Sequence, residues 1–539
     1  MQADAAGKAG GTSATVSEDE QRRLLSVLAR AASPDERRAG GWLRAIPTDV
    51  AEARYQQWAA RVTDGDEARA RQILAVRGLT PQAWCDSLRE VAVDTTVVST
   101  AWPAWARAVV ELLEMVPREG ALASEIGASE AGIPTLAEVV GIGLPDWVDG
   151  SAPWRFYPGF RSWWQAARAA VTALDGFPNR QSGALSAQSV MLTPAAQADL
   201  ALGAVRRLLA VSGPRLMAAA DAAEQPLFSM SPRADWLALF DHYPVLARVL
   251  ATTWLQWHET TTELVARIHH DVPLLASVDH SEPATDPVAD PGPAPAVAHI
   301  TTGEGDSHAG GRSVAEVEMN DGATWFLKPR SAGGQQALSA VFASVSAAGD
   351  PLELQLPETI ERDGYCWVRK VTRADCRSTA DVATYFYRAG VLTRVLQALG
   401  ATDFHHENVI PAGDQPVLID LETVFGPGGG WQRDDDEVPG GATPTEADSA
   451  IVAEIMADTP ATTSMISSFV DGPPGCDSVD IGALAGPAEA LTPYLVAHLE
   501  PTPTGPQLRR QRVPLVTGEA LPTLGGARVA ASDYAAEII

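Results

Sequence analysis

The chain has 539 residues, 46% of them hydrophobic, and carries a formal net charge of −28. A chain of this length is expected to form about three to four units, each with a real core. The surplus of acid excludes a nonspecific nucleic-acid binder, because neutralising phosphates requires clustered Lys and Arg. Any phosphate chemistry is therefore expected to be local and assisted by a metal ion.

The sequence predicts a cytoplasmic protein with reduced thiols. The N-terminal residues lack the apolar core of a signal peptide, and we find no stretch of about 18 consecutive apolar residues that could span a membrane. Four cysteines are scattered without CxxC spacing, which favours neither a disulfide framework nor a zinc knuckle. They are Cys85, Cys366, Cys376 and Cys476.

The first half of the chain predicts a large, mostly α-helical region. Residues 1–16 are small and polar, which is typical of a disordered tail. From Ser17 apolar residues recur at three- and four-residue intervals, with Ser33-Pro34 as a stop. Similar runs follow at 50–62, 102–116, 163–174 and 194–211.

The tryptophans of this region are interpreted as core packing rather than as a ligand cage, since aromatic spacing on a helix face is typical of a core. They include Trp102, Trp105, Trp154, Trp163 and Trp164. We therefore expect them to pack helices together.

The longest helical pattern runs from about Asp235 to His270, with Pro244 expected to begin a new helix. It closes on His269-His270-Asp271. These residues suit either a metal cluster or a solvated last turn whose histidines interact favourably with the helix dipole. The last turn is the preferred interpretation, because adjacent residues on a helix do not face one site.

A Pro- and acid-rich segment at 281–298 predicts an extended linker and a change of fold. Beyond it, apolar strands flank Asn320-Asp321-Gly322, which is the signature of a tight hairpin turn. The fold class predicted is α+β. The expected domains are a helical region at 17–280, a β-rich lobe at 299–369 and a second lobe at 370–539.

The β-rich lobe carries a Gly-rich turn, Gly310-Gly311-Arg312-Ser313, at the start of one strand and Lys328 at the end of the next. A backbone without Cβ atoms can approach a polyphosphate closely, and a lysine on the adjacent strand can meet its charge. An ordinary glycine bend beside an exposed lysine fits the same residues, because short motifs often match by chance. Asp306 and His308 suit loop capping or catalytic support.

A polar loop and a short strand follow a predicted helix at 385–399. The loop reads Asp403-x-His405-x-x-Asn408, and the strand ends on Asp420. An Asp can accept the proton of a substrate hydroxyl, while an Asn and a second Asp supply oxygen ligands to Mg2+. A lysine on a strand, this loop and an Asp at a strand end together favour phosphoryl transfer.

Two other interpretations of the loop stay open. His405, His406 and Asp420 would suit zinc, although HExxH is absent and no Cys lies nearby. A purely structural loop capped by Asp403 and Asn408 is the stronger of the two, because Asp and Asn often cap and turn.

Glu422 lies two residues beyond Asp420, on the same side of an extended segment. It has two interpretations. Either it joins the metal site, or it pairs with a basic neighbour such as Arg388 or Arg394.

Together these motifs resemble the N-terminal dehydratase domain of class II lanthionine synthetases, the LanM enzymes that make lanthipeptides. The resemblance covers roughly residues 210–500, and its specificity lies in the ordered set of motifs. The segments that carry it are YPVLARVL, WLQWHETTTELVARI, GDSHAGGRSV, WFLKPRS, YFYRAG, TDFHHENVI and PVLIDLETVF. The family implies a two-lobed core similar to lipid kinases.

The resemblance also implies an activity. The enzyme would use ATP and Mg2+ to phosphorylate Ser and Thr of a ribosomally made precursor peptide, then eliminate phosphate to give dehydroalanine and dehydrobutyrine. The helical region would help to grip the leader of that peptide. By position, phosphoryl transfer would fall to Asp403 and His405, Mg2+ binding to Asn408, Asp420 and Glu422, and nucleotide binding to Lys328, Arg330, Gly311 and Arg312.

The sequence departs from the family near its end. In the family, elimination depends on an arginine and a threonine well downstream of the metal residues, and a C-terminal cyclase supplies Cys and His ligands for zinc. The segment RVPLVTGEALPTLGGARVAASDYAAEII stops before either, so the expectation is a truncated enzyme without zinc and with a separate or missing cyclase. Its rivals are a noncatalytic leader-binding remnant and a kinase of small molecules or lipids.

Overall fold

The computed structural model divides the chain into two compact units. It describes residues 17–48, 50–116, 158–175, 191–223, 233–279, 295–348, 353–401, 404, 407–424, 470–471, 479–480, 494–502, 505–513 and 520–538. The helical unit comprises the described residues within Met1–Ser189, Pro194–Asp271 and Glu500–Gln507. The sheet unit comprises those within Val190–Thr193, Val272–Leu499 and Leu508–Ile539.

The described part of the helical unit is mainly helical and includes a short antiparallel strand pair. Its helices are α1 (Glu18–Ala31), α2 (Pro34–Ala39), α3 (Val50–Thr63), α4 (Glu67–Val76), α5 (Pro81–Ser87), α6 (Ala104–Met115), α7 (Pro158–Asp175), α8 (Pro194–Ala223), α9 (Arg233–His242) and α10 (Pro244–Asp279). The strands are β1 (Leu43–Ala45) and β2 (Val91–Val93). The division between the units falls inside α10, after Asp271.

Helix starts in this unit follow the local sequence. The Ser17 hydroxyl caps α1 by accepting the Glu20 N–H at 3.1 Å. Ser33 and Glu36 form a capping box on α2, in which the Glu36 carboxylate accepts the Ser33 N–H at 2.7 Å. The predicted stop at Ser33-Pro34 is thus also a start, because a serine cap followed by proline suits a helix N-terminus.

The tryptophans pack in the core of the helical unit, as predicted. Trp163 is fully buried, lies 4.7 Å from Trp236 between ring centroids, and donates its indole N–H to the Leu112 carbonyl at 2.8 Å. Trp105 and Trp164 are buried as well, and Trp102 is half-buried. Trp154 lies outside the described residues.

The extent of α10 corrects one interpretation. The helix begins at Pro244 as predicted, but it continues past His270 to Asp279 and contains Pro273. Val272 and Leu275 are fully buried. The apolar stripe therefore continues beyond the histidines, which is why they do not form a last turn.

The two histidines make separate contacts. His269 Nε2 lies 3.0 Å from Asp175 Oδ1 at the end of α7. His270 Nδ1 lies 2.8 Å from Asp271 Oδ1, and the His270 side chain is 69% exposed. His269 thus joins two helices while His270 stays at the surface.

The sheet unit contains a six-stranded sheet in the order β3-β4-β5-β6-β8-β7. Its strands are β3 (Met191–Leu192), β4 (Ala296–His308), β5 (Arg312–Met319), β6 (Thr324–Lys328), β7 (Thr359–Arg362) and β8 (Tyr365–Arg369). The tight turn at Asn320-Asp321-Gly322 joins β5 to β6, and Gly322 takes the left-handed φ of 90° that such a turn uses. β4 begins inside the segment predicted as a linker, at Ala296.

The remaining described elements are helices and paired strands. The helices are α11 (Gly333–Ala348), α12 (Thr379–Leu399) and α13 (Ala535–Ile538). The strand pairs are β9 (Val409–Ala412) with β10 (Gln415–Leu418), β11 (Val470–Asp471) with β12 (Val479–Asp480), β13 (Tyr494–Thr502) with β14 (Gly505–Val513), and β15 (Thr523–Leu524) with β16 (Ala527–Arg528). Helices and largely antiparallel sheet thus occur together, which is compatible with the predicted α+β class.

One core of the sheet unit fixes the route from α12 to the β9–β10 hairpin. Gly400 ends α12 with a φ of 66°, directly after Leu399, where the predicted helix at 385–399 also ends. Phe404 is fully buried and packs in one cluster with Leu396, Val409 and Leu418. The chain is therefore anchored before, within and after the predicted catalytic loop. Among the helices that the structure describes, none is long and apolar enough to cross a membrane.

Candidate active site

The β9–β10 hairpin brings two predicted metal ligands to the same end. Val409 pairs with Leu418, and the Ile419 N–H donates to the Asn408 carbonyl at 3.1 Å. Asn408 immediately precedes β9, and Asp420 follows Ile419. Both residues therefore lie at the end of the hairpin opposite its turn, where the sequence places the end of a strand.

Lys328 reaches this end of the hairpin from the sheet. It is the last residue of β6, its side chain is 14% exposed, and its Nζ donates to the Ile419 carbonyl at 2.7 Å. Nζ also lies 3.8 Å from Asp420 Oδ1. Burial lowers the pKa of Lys328, and the negative charge of Asp420 opposes that shift. The predicted phosphate-binding lysine and the predicted metal segment thus meet.

Arg330 joins the same group. Its Nη2 lies 2.5 Å from Asp420 Oδ1, and its Nη1 pairs with Glu422 Oε2. One guanidinium therefore bridges two of the three predicted metal ligands. A planar fork of donors is suited to this role, since it can address two carboxylates at once.

The basic neighbour of Glu422 is Arg330 and not Arg388 or Arg394 of α12, as considered from the sequence. Arg388 Nη1 instead lies 2.6 Å from Asp414 Oδ2, in the turn of the hairpin. The turn and the site occupy opposite ends of the hairpin. Arg388 is therefore directed away from Glu422 by topology.

A cavity of about 340 Å³ opens beside these charges. That volume lies within the range of about 300–1,000 Å³ that is usual for small-molecule sites. Its walls come from the end of β6, the start of α11, β8 and the segment after β10. The lining residues are Lys328, Arg330, Ser331, Ala332, Gly334, Gln335, Cys366, Val368, Ile419, Leu421 and Glu422.

The start of α11 is a part of the site that sequence reasoning missed. A Cβ added to Gly334 would lie 2.6 Å from the Leu421 carbonyl oxygen, so only glycine permits this approach. Glu361 supports the turn into α11, because its carboxylate accepts the Ser331 hydroxyl and the Ala332 N–H, each at 2.7 Å. The glycine pair after the KPRS segment was the available signal.

Cys366 lies opposite Lys328 across the β6–β8 pair and is 2% exposed. Burial, with a smaller contribution from the charge of Glu361, raises the pKa of its thiol to about 11. The group is therefore a protonated thiol at neutral pH. It contributes to the cavity wall as a small apolar side chain rather than as a nucleophile or metal ligand.

The Gly-rich turn lies at the same end of the sheet as Lys328 but does not line the cavity. Gly310 and Gly311 both have a φ of 76°, and Arg312 pairs with His308 where β4 turns into β5. The antiparallel register of β5 and β6 then places Lys328 at this end. Nothing is described of the side chains of Asp306 and His308.

The two predicted catalytic residues, Asp403 and His405, lie outside the described residues. The same holds for His406 of the zinc interpretation. Among the described side chains, no group of three or more His, Cys, Asp or Glu residues is arranged to hold a metal ion.

The described donor groups fit Mg2+ and a nucleotide by their chemistry. Asp420 and Glu422 offer carboxylate oxygens and Asn408 an amide oxygen, and Mg2+ prefers such hard ligands. Lys328 and Arg330 offer positive charge on the adjoining wall. Phosphoryl transfer commonly uses carboxylates to bind the metal ion and cationic side chains to bind the phosphates, and here the two kinds of group lie at the ends of different strands.

Comparison with known proteins places the site in a family. A stretch of 70 residues is 40% identical to the lacticin 481/lactococcin biosynthesis protein LcnDR2 of Lactococcus lactis subsp. lactis, and covers 13% of this chain but 8% of that relative. A family model described as DUF4135, a domain of unknown function, matches residues 243–539, more than half of the chain and all of the site described above. The chain therefore belongs to the DUF4135 family.

Proposed function

We propose that this chain acts in lanthipeptide biosynthesis as a kinase-like peptide dehydratase. The observation that carries the proposal is the meeting of Lys328 with Asp420 beside a cavity whose wall includes Lys328, Arg330 and Glu422. The identity to a lacticin 481 biosynthesis protein supports the biosynthetic setting. The substrate in this proposal is a precursor peptide with a leader, and the location is cytoplasmic.

In this proposal the cavity takes ATP with Mg2+. Lys328 and Arg330 hold phosphate oxygens, and Asn408, Asp420 and Glu422 hold the metal ion. Bound Mg2+ supplies charge neutralisation at the transferring phosphoryl group. Lys328 suits its role because its side chain is held by the Ile419 carbonyl and is therefore already positioned.

The proton of the peptide hydroxyl goes to Asp403, and His405 supports the loop that presents it. An aspartate in the catalytic loop is the usual acceptor of a substrate hydroxyl proton in phosphoryl transfer. Phosphoryl transfer releases ADP and converts the hydroxyl of Ser or Thr into a leaving group, and loss of that phosphate together with the α-hydrogen gives dehydroalanine or dehydrobutyrine.

The proposal includes a two-lobed core like that of lipid kinases. The six-stranded sheet with α11 corresponds to the first lobe, and α12 with the β9–β10 hairpin to the second. Gly311 and Arg312, at the Lys328 end of the sheet, would face the outer part of the nucleotide. The helical unit is proposed to grip the leader of the precursor peptide.

The experiment is incubation with ATP, Mg2+ and the precursor peptide whose gene lies nearest to that of the chain, followed by mass spectrometry. We expect added phosphate or loss of water on Ser and Thr. Leader binding without ATP turnover would favour a noncatalytic binding role, and phosphorylation of a lipid or metabolite in preference to the peptide would favour a different kinase. No modified peptide together with no bound nucleotide would refute the enzyme proposal.

A further inference from the structure

Four charges at or beside the cavity balance one another within the described site. Lys328 and Arg330 supply two positive charges, and Asp420 and Glu422 supply two negative ones. The side chains of Lys328 and Arg330 are 14% and 23% exposed, so their charges are only partly screened by water. The arrangement therefore favours ligands that bring both signs of charge together.

We infer that Arg330 is an exchangeable counterion: it pairs with Asp420 and Glu422 until a divalent cation takes them, and then pairs with the phosphates of the nucleotide. The inference rests on the proposed function and adds a positioning role for one residue. Its consequence is that metal and nucleotide bind cooperatively.

The first step is that a metal must displace Arg330. Its two terminal nitrogens form ion pairs with two different carboxylates, Asp420 and Glu422. A bound metal ion would use the oxygens of these same carboxylates. A cation entering alone would leave the guanidinium beside it without a partner. Breaking a partly buried ion pair by taking one partner away is unfavourable, because it leaves a charge uncompensated.

The second step is that Lys328 does not exchange in the same way. Its Nζ donates to the Ile419 carbonyl at 2.7 Å, and lies farther, 3.8 Å, from Asp420. The backbone carbonyl keeps this contact when Asp420 changes partner. Arg330, and not Lys328, is therefore the residue that changes its partner.

The third step concerns a nucleotide that enters alone. Its phosphates would draw Arg330 away and meet two carboxylates that have lost their counterion. Like charges brought close together repel one another, which opposes binding. When metal and nucleotide enter together, every charge gains a partner, so each ligand raises the affinity for the other by the same factor.

The test measures Mn2+ binding by electron paramagnetic resonance, with and without a nonhydrolysable ATP analogue. The variants are Arg330→Gln, which removes the counterion, and Arg330→Lys, which keeps the charge but not the fork. The matched control is Arg369→Gln, because Arg369 pairs with Glu358 at 3.2 Å on the same sheet without lining the cavity.

In the absence of the analogue, we expect Arg330→Gln to bind Mn2+ about tenfold more tightly than the wild type. The analogue should increase the Mn2+ affinity of both proteins, but the increase in Arg330→Gln should be about tenfold smaller than the increase in the wild type. Arg330→Lys is expected to lie between them, and Arg369→Gln to match the wild type. Unchanged coupling in both Arg330 variants, with intact nucleotide binding, would refute the exchange and leave the proposed function standing. A wild-type chain that binds neither Mn2+ nor the analogue would overturn both.

Discussion

Similar polar contacts serve different purposes in the two units. In the helical unit, the Asp175 carboxylate lies 3.0 Å from His269 Nε2 and accepts the Gln197 amide at 3.0 Å, so α7, α8 and α10 are joined. In the sheet unit, Arg330 lies on the wall of a cavity and joins Asp420 to Glu422. The two sets of contacts differ in their surroundings. The Asp175 contacts lie between helices, whereas the Arg330 contacts lie beside a cavity that has space for a ligand.

Cavity volume alone does not make this distinction. The helical unit contains a larger cavity, about 560 Å³, beside α1, α2 and α3. Arg37 on its wall donates to the carbonyls of Arg30 at 2.8 Å and Ala32 at 3.0 Å. A cation that satisfies carbonyls at a helix end has a structural role. The balanced charges around Lys328 therefore indicate a ligand site better than the volume of either cavity does.

The largest expected effect comes from Asp420→Asn. Loss of the carboxylate removes a metal ligand, and we expect metal-dependent ATP turnover to fall at least about a hundredfold, the upper range for changes in the groups that merely support metal ligands. Asp414→Asn is the matched control, because Asp414 pairs with Arg388 at the other end of the same hairpin. Equal turnover of both variants would remove Asp420 from the site.

The next effect tests the close approach of α11. Gly334→Ala places a methyl group against the Leu421 carbonyl, so we expect a loss of about 1–3 kcal/mol in the free energy of unfolding and weaker Mg2+-nucleotide binding. Gly333→Ala is the control, because its Cβ would meet only the Ser331 hydroxyl at 3.6 Å. Denaturant unfolding and calorimetry provide the two measurements. A Gly334→Ala variant as stable as Gly333→Ala would contradict this packing.

A smaller effect is expected in the helical unit. His269→Ala removes a contact to a carboxylate that is 10% exposed, and should lower the free energy of unfolding by about 1–2 kcal/mol without changing nucleotide affinity. His270→Ala should barely affect turnover, since that side chain lies at the surface. A loss of nucleotide affinity in His269→Ala would contradict a purely structural role for the contact between His269 and Asp175.

The last effect is confined to alkaline pH and is a pH dependence of stability from Cys366. Its pKa of about 11 in the fold exceeds the ordinary value of 9.0, so the folded state holds the proton more tightly than the unfolded state. The stability that this thiol contributes is present below about pH 9 and is lost as pH rises towards 11. Cys366→Ala should reduce the fall in stability across this window in thermal unfolding. An unchanged pH profile would contradict the burial of the thiol.

Local patterns predict most elements of the site, while its contacts depend on tertiary structure. The β5–β6 turn, the Gly400 end of α12 and the β9–β10 hairpin follow from turn chemistry and apolar period. The bridge from Arg330 to Asp420 spans 90 residues and has no local signal. His269 shows the same limit, because its partner Asp175 lies 94 residues away on another helix.

A feature of composition could have singled out Lys328 more sharply. Lysine and arginine together number 40, but the lysines are only Lys8, Lys328 and Lys370. Lys328 is largely buried, while the Lys370 side chain is 48% exposed and pairs with Glu316. A lysine retained in a chain dominated by arginine suits a role that needs a compact, positioned point charge.

The scarcity of lysine makes one measurement the most direct test of the nucleotide site. An acyl-phosphate derivative of ATP, which transfers its acyl group to a lysine beside the bound phosphates, should label Lys328, and excess ATP with Mg2+ should protect it. Peptide mapping by mass spectrometry then identifies the modified lysine. The account predicts labelling of Lys328 with Lys8 and Lys370 unmodified. Labelling that is absent at Lys328, or that ATP does not prevent, would contradict it.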